Sequence, residues 1–246
     1  MQKREFREAV YYLSQILEHC NDSMKHFALK IECLISQSPD DMTKAVQFTT
    51  ALQERFIHDA LFLFWRGRVL LYNGQVDMGK KHLKQALQVD PENKLITSFW
   101  KSLSKSERVK TEANDALKAY EVEKAIELYA QCLEFDALNV AFNQTILYNR
   151  ACALSKIGQN EKAFEDLDSA IKINPDYVKA YFKKGDLKLA EEKFDEALHE
   201  YSKIKERAPQ TPGLREKIRH AQVELKKSKR KNYYKILGVE KSADEK

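Results

Sequence analysis

The sequence predicts an all-α superhelical solenoid of antiparallel helix pairs, and three observations carry that prediction. The 246 residues include only 7 glycines and 5 prolines, while 43% are hydrophobic. Turn formers are too scarce for a β fold, and there is enough apolar surface for a sizeable core. Apolar residues recur at helical spacing along most of the chain. Three segments end alike, QALQVDPEN, SAIKINPDY and KIKERAPQT, at Pro91, Pro175 and Pro209, the last two 34 residues apart. A repeat of about that length is one helix–turn–helix unit.

Counting back from each proline places unit starts at Ala60, Gln144 and Val178. Position eight of these units is small (Gly67, Ala151, Gly185), and so is position twenty (Gly79, Ala163, Ala197). Small residues there let the two helices of a pair approach closely. The proline then ends the second helix, since it donates no backbone hydrogen bond and clashes with the preceding turn. The frame extends to units without the proline. One starts at Ser106, with Ala113, Ala125, Tyr129 at position twenty-four and Cys132 at twenty-seven. Another starts at His26, with Cys33 and Ala45. A single pair cannot bury its apolar face; stacked neighbours can, and they enclose a concave groove.

The frame is interrupted in four places. Ser106 lies 46 residues after Ala60, and the excess, 94–105, has Leu95, Ile96, Phe99 and Leu103 at helical spacing. It predicts a helical connector between a first array, 1–93, and a second, 106–211. The Gln144 unit starts late, which predicts a lengthened loop near Leu138–Gln144. Phe6, Ala9, Val10, Leu13, Ile16 and Leu17 form one stripe in which Ala9 fits position twenty. The first repeat is therefore expected to be incomplete, and the chain to be cut at both ends. After Pro212, Leu214, Ile218, Ala221 and Leu225 predict a capping helix, which with a basic linker occupies 212–231.

Five polar residues stand out on the first helices of three successive units: Lys110 and Asn114, Asn149, and Lys179 and Lys183. Residues four apart share a helix face. Asn is disfavoured in helix interiors, so Asn114 and Asn149 at matching frame positions are informative. Converging ammonium groups and amides supply hydrogen-bond donors with no competing acceptor charge, which suits the carboxylates of an acidic peptide end. In the earlier units the corresponding positions hold Lys30, Leu34 and Trp65, which cannot assemble such a set. That part of the groove is expected to pack against its neighbours.

The repeat resembles the tetratricopeptide family across most of residues 26–211. Asn232-Tyr233-Tyr234-Lys235-Ile236-Leu237-Gly238-Val239 is similar to the opening of a DnaJ-type J domain, and Ser242 and Glu245 have the spacing of a helix-starting capping box. Residues 232–246 are thus expected to be the beginning of that domain, without its His-Pro-Asp loop. Together these features resemble the tetratricopeptide-repeat J-domain co-chaperones of the DnaJ subfamily C member seven type. The resemblance implies an adaptor for heat-shock chaperones of the seventy- and ninety-kilodalton classes, reaching client proteins indirectly. It also implies a two-carboxylate clamp for their C-terminal Glu-Glu-Val-Asp. The family pattern of Lys, Asn, Asn, Lys and Arg falls on Lys110, Asn114, Asn149, Lys179 and Lys183. Lys183 replaces Arg, with loss of bidentate geometry.

Other chemistries find little support. The six histidines are scattered without metal spacing, and no Gly-rich phosphate loop occurs. A non-enzyme with no cofactor and no metal is expected. Cys20, Cys33, Cys132 and Cys152 are widely spaced and read as free thiols in a reducing compartment. No apolar run reaches the ~20 residues that span a bilayer, and the charged start MQKREFREAVYY does not read as a signal peptide. With 42 basic and 37 acidic residues the net charge is +5, too mild to imply nucleic acid. The run Lys226–Lys231 reads as a solvated helix end rather than an import signal. Neither nucleic acid nor membrane is expected as a partner, and the location expected is the cytoplasm or nucleus. The alternative is a structural scaffold that binds no chaperone tail.

Overall fold

The computed structural model describes residues 2–20 and 23–229. The motif expected at 232–246, with Ser242 and Glu245, lies outside them. All regular structure in the described residues is helical, as the sequence predicts. The chain divides into two compact units, Met1–Pro175 and Asp176–Lys246. The first holds α1 (Gln2–His19), α2 (Met24–Gln37), α3 (Thr43–Ala51), α4 (Gln53–Phe56), α5 (Ala60–Tyr72), α6 (Val76–Val89), α7 (Lys94–Lys118), α8 (Val122–Glu134), α9 (Val140–Lys156) and α10 (Asn160–Ile173). The second holds α11 (Val178–Ala190), α12 (Phe194–Arg207) and α13 (Leu214–Lys229). The division falls inside the stretch 106–211.

One turn design joins the two helices of each pair. Its fifteenth position takes a left-handed backbone in four units: Gly74 (φ 82°), Tyr120 (63°), Gly158 (75°) and Glu192 (60°). The following amide then returns to the carbonyl five residues back: Gln75 to Leu70 at 2.9 Å, Glu121 to Ala116 at 2.9 Å, Gln159 to Leu154 at 3.0 Å and Lys193 to Lys188 at 2.9 Å. These bonds satisfy carbonyls that the helix end leaves open. Gly74 takes the conformation freely; Tyr120 and Glu192 hold it at a cost of about 1–2 kcal/mol. The second helices end as the prolines require. Asp90, Asn174 and Ala208 have ψ of 81°, 101° and 69°, outside the helical range that a following proline disfavours.

In the unit that starts at Ala60, positions eight and twenty meet backbone to backbone. A Cβ on Gly79 would lie 2.8 Å from the Gly67 carbonyl oxygen and 2.8 Å from the Leu71 amide nitrogen, and neither can swing aside. Gly79→Ala is therefore expected to lower stability by about 2 kcal/mol, outweighing the gain of about 1 kcal/mol in helix propensity. Urea unfolding measures this; an unchanged or higher midpoint would mean that α5 and α6 can separate without cost.

Two apolar clusters form the core of the first unit, and α7 belongs to both. Ile96 and Leu103 join the cluster built by α2–α6, with Phe62, Phe64, Trp65 and Leu83 at its centre. Val109, Ala113 and Ala116 join the cluster of α8 and α9 around Tyr129 and Ile146. The helical connector expected at 94–105 is the first half of this single 25-residue helix. Asn93 starts it by accepting the amides of Leu95 (3.1 Å) and Ile96 (3.4 Å). Of the N-terminal stripe, Val10 and Leu17 pack on the first cluster, while Ile16 is exposed. Leu34 and Trp65 are buried, as packing positions should be.

The loop expected near Leu138–Gln144 is corrected by the structure. Residues 140–143 are the first turn of α9, and the connection is only 135–139. Asn139 caps the helix early, accepting the Phe142 amide at 3.3 Å, and the Asn143 side chain ties back to the Asp136 carbonyl at 2.8 Å. The extra residues therefore lengthen the helix instead of the loop.

In the second unit α13 caps the α11–α12 pair. Leu214 and Ala221 are buried. Lys217 donates to both oxygens of Asp186 at 2.8 Å, and Asp186 also accepts from the Tyr201 phenol at 2.6 Å.

Candidate functional site

Three of the five predicted site residues lie in the first unit, and the structure brings them together. Asn114 sits on α7 and Asn149 on α9, and the Asn149 amide donates to the Asn114 side-chain oxygen at 3.4 Å. That same oxygen accepts a shorter bond, 2.7 Å, from the Tyr129 phenol of α8. With both donors on its oxygen, Asn114 keeps its NH₂ group for a ligand. Lys110 precedes Asn114 by one turn, and its ammonium lies 5.4 Å from the centre of the Phe142 ring. Lys110, Phe142 and Thr145 line a cavity of about 290 Å³, together with Leu103 and Glu107 of α7. Lys110 and Thr145 stand one turn before Asn114 and Asn149 on their helices, and neither Asn lines the cavity itself.

Burial keeps the Tyr129 phenol protonated. It is pushed up to about 12, mainly by loss of solvent, so it donates to Asn114 at any pH near neutral. Cys132 lies in the same wall; burial raises its thiol to about 11, and its sulfur reaches the Ser106 carbonyl at 3.8 Å. A thiol held protonated in this way is a packing group, not a nucleophile.

Lys179 and Lys183 belong to the second unit, one turn apart on α11. Neither has an ion-pair partner among the described residues, whereas Lys184 and Lys188 on the same helix face Glu200 (3.5 Å) and Glu196 (2.8 Å).

Three features escaped the sequence reading. The bond from Tyr129 to Asn114 joins position twenty-four to position nine, and Tyr201 to Asp186 repeats it in the next unit but one. That shared 15-residue spacing was the available signal. Arg150 makes a two-pronged pair with Asp166, at 2.8 and 2.7 Å. Lys184 and Glu200, also 16 apart, occupy the same positions in the following unit. Arg68 lies 4.9 Å from the ring centres of both Trp65 and Phe99 and donates to the Tyr72 phenol at 2.9 Å. Tyr72 in turn donates to Asp136. At position nine of its unit, where Asn114 stands in another, Arg68 is thus engaged in packing.

Comparison with known proteins fits this architecture. The tetratricopeptide repeat model matches residues 60–93 and 145–177, close to the units read from Ala60 and Gln144. DnaJ homolog subfamily C member 7 of Mus musculus is 32% identical over 99% of this chain and 49% of its own length. The DnaJ homolog subfamily C member 7 homolog of Schizosaccharomyces pombe is 31% identical over 89% of this chain and 46% of its own length. The chain thus spans about half the length of these curated relatives. The crystal structure of the P58(IPK) TPR domain superposes with a TM-score of 0.69 at 19% identity, covering 93% of this chain and 63% of that one.

Proposed function

Because the chain is a tetratricopeptide-repeat protein homologous to DnaJ homolog subfamily C member 7, we propose that it is a co-chaperone adaptor. It holds the acidic C-terminal Glu-Glu-Val-Asp tail of heat-shock chaperones of the seventy- and ninety-kilodalton classes, in the cytoplasm or nucleus, and reaches client proteins through them. The observation that carries this reading is the amide pair Asn114–Asn149, anchored by Tyr129, with the Lys110 ammonium one turn away. A terminal carboxylate and the neighbouring Asp side chain are two anions that need donors in fixed geometry. Asn supplies directed donors, and Lys supplies charge without an acceptor. Lys179 and Lys183 enter the proposal through their repeat positions and their freedom from internal ion pairs, and Lys183 provides charge where an Arg would also provide two parallel bonds.

Calorimetric titration with a peptide ending in Glu-Glu-Val-Asp, beside the same peptide amidated at its C-terminus, tests this. Binding is expected for the free acid and a loss of about ten-fold or more on amidation. Equal binding of both peptides, or of neither, would return the repeats to the role of a scaffold that grips no chaperone tail.

A further inference from the structure

The second unit carries a cavity of about 380 Å³ between the end of α12, the turn that follows it and α13, and neither Lys179 nor Lys183 lines it. Its apolar lining is Pro209, Leu214 and Ile218, and its charged lining is Lys205, Arg215 and Arg219. The lining includes no carboxylate. On α13 the residues follow from helical spacing: Leu214 and Ile218 lie on one face, with Arg215 and Arg219 one position further round.

The cations of this slot differ from most of their neighbours. Lys184, Lys188, Lys193, Lys203, Arg207, Lys217, Lys227 and Lys229 are all within ion-pair distance of a carboxylate inside the unit. Lys205, Arg215 and Arg219 have no such partner among the described residues. All three are exposed. A helix surface laced with internal pairs thus leaves three charges unpaired around one apolar depression. Like charges so placed repel one another, and an anion set among them relieves that repulsion while its apolar neighbours cover Ile218 and Pro209.

We propose that this slot is a second peptide-binding site, and that its occupant is an acidic amphipathic segment of a partner protein. One or two apolar side chains of that segment fill the depression over Ile218 and Pro209, and flanking carboxylates meet Lys205, Arg215 and Arg219. The guanidinium forks can each take a carboxylate through two parallel bonds. The site needs no terminal carboxylate, and none of its residues belongs to the proposed clamp.

The test titrates the full chain with an N-terminally fluorescein-labelled, C-amidated peptide of repeated Leu-Glu-Glu, read by anisotropy. Amidation removes the group the clamp would hold. Arg215→Glu/Arg219→Glu is expected to weaken binding by about ten-fold or more, and so is Leu-to-Ser replacement throughout the peptide. Affinity for a free-acid Glu-Glu-Val-Asp peptide should be the same in the charge-reversed chain, which, with an unchanged circular dichroism melt, shows that the unit is still folded. Equal binding by the unaltered and reversed chains would overturn the proposal. So would equal binding of the Leu and Ser peptides, which would reveal a bare cationic patch. Absence of peptide binding would also overturn it, including the case where phosphatidylserine vesicles retain the chain through Arg215 and Arg219 and the true occupant is a lipid surface.

Discussion

Replacing Arg150 by Ala is expected to lower the unfolding free energy by about 3 kcal/mol. Its guanidinium closes on both oxygens of Asp166, whose side chain is only 8% exposed. Removing the guanidinium strands that carboxylate between α9 and α10 with no cation to face it. Its retention by Arg is visible from the other side as well, since the Asp166 hydrogen bond pushes the Arg150 guanidinium above its ordinary value. The cost belongs to the orphaned charge more than to the pair itself, so Arg150→Met/Asp166→Leu should recover most of the loss. Urea denaturation of the three chains measures both effects. A loss below about 1 kcal/mol for Arg150→Ala would place the pair with ordinary surface ion pairs.

The second large effect concerns binding. Asn114→Ala should weaken a Glu-Glu-Val-Asp peptide by about 2 kcal/mol, or about thirty-fold, the value of a hydrogen bond to a charged group. Tyr129→Phe is the sharper probe, because Tyr129 is a positioning residue buried behind Asn114. Without the phenol, the Asn114 amide can turn either edge to the groove, and half of its orientations present oxygen to an anion. A loss of about two-fold in affinity is expected, together with reduced preference for the free acid over the amidated peptide. A merely structural role for Tyr129 would lower the melting temperature and leave that preference unchanged.

Much of this molecule could be read from residues alone, for physical reasons that differ between its parts. The helix pairs were legible because close backbone approach demands small residues, and Gly67 with Gly79 announces it at fixed spacing. The early start of α9 was not, because a repeat count finds surplus residues without saying whether they coil or loop. Asn139 decided that by capping, and an Asn before an apolar run has several uses. The division at Pro175 was equally hidden, since the repeat frame passes through it undisturbed from Gln144 to Val178. For the candidate site, Lys110, Asn114 and Asn149 followed from frame positions. Tyr129 did not, because its role depends on which edge of an amide faces a neighbouring helix. Arg150 and Asp166 likewise reveal themselves only once two helices are laid side by side.

The unbroken course of α7 has a consequence for how this chain tolerates change. A helix keeps a fixed phase along its length, and each added residue advances that phase by about 100°. Between Leu103, locked into one apolar cluster, and Val109, locked into the next, the number of residues therefore acts as an angular setting. One residue inserted there would swing the whole second cluster, carrying Lys110, Asn114 and Asn149 together, about a quarter-turn or more relative to the first while leaving every one of them intact. The length of that segment thus sets how the α2–α6 helices meet the α8–α9 pair, independently of the residues that line either one.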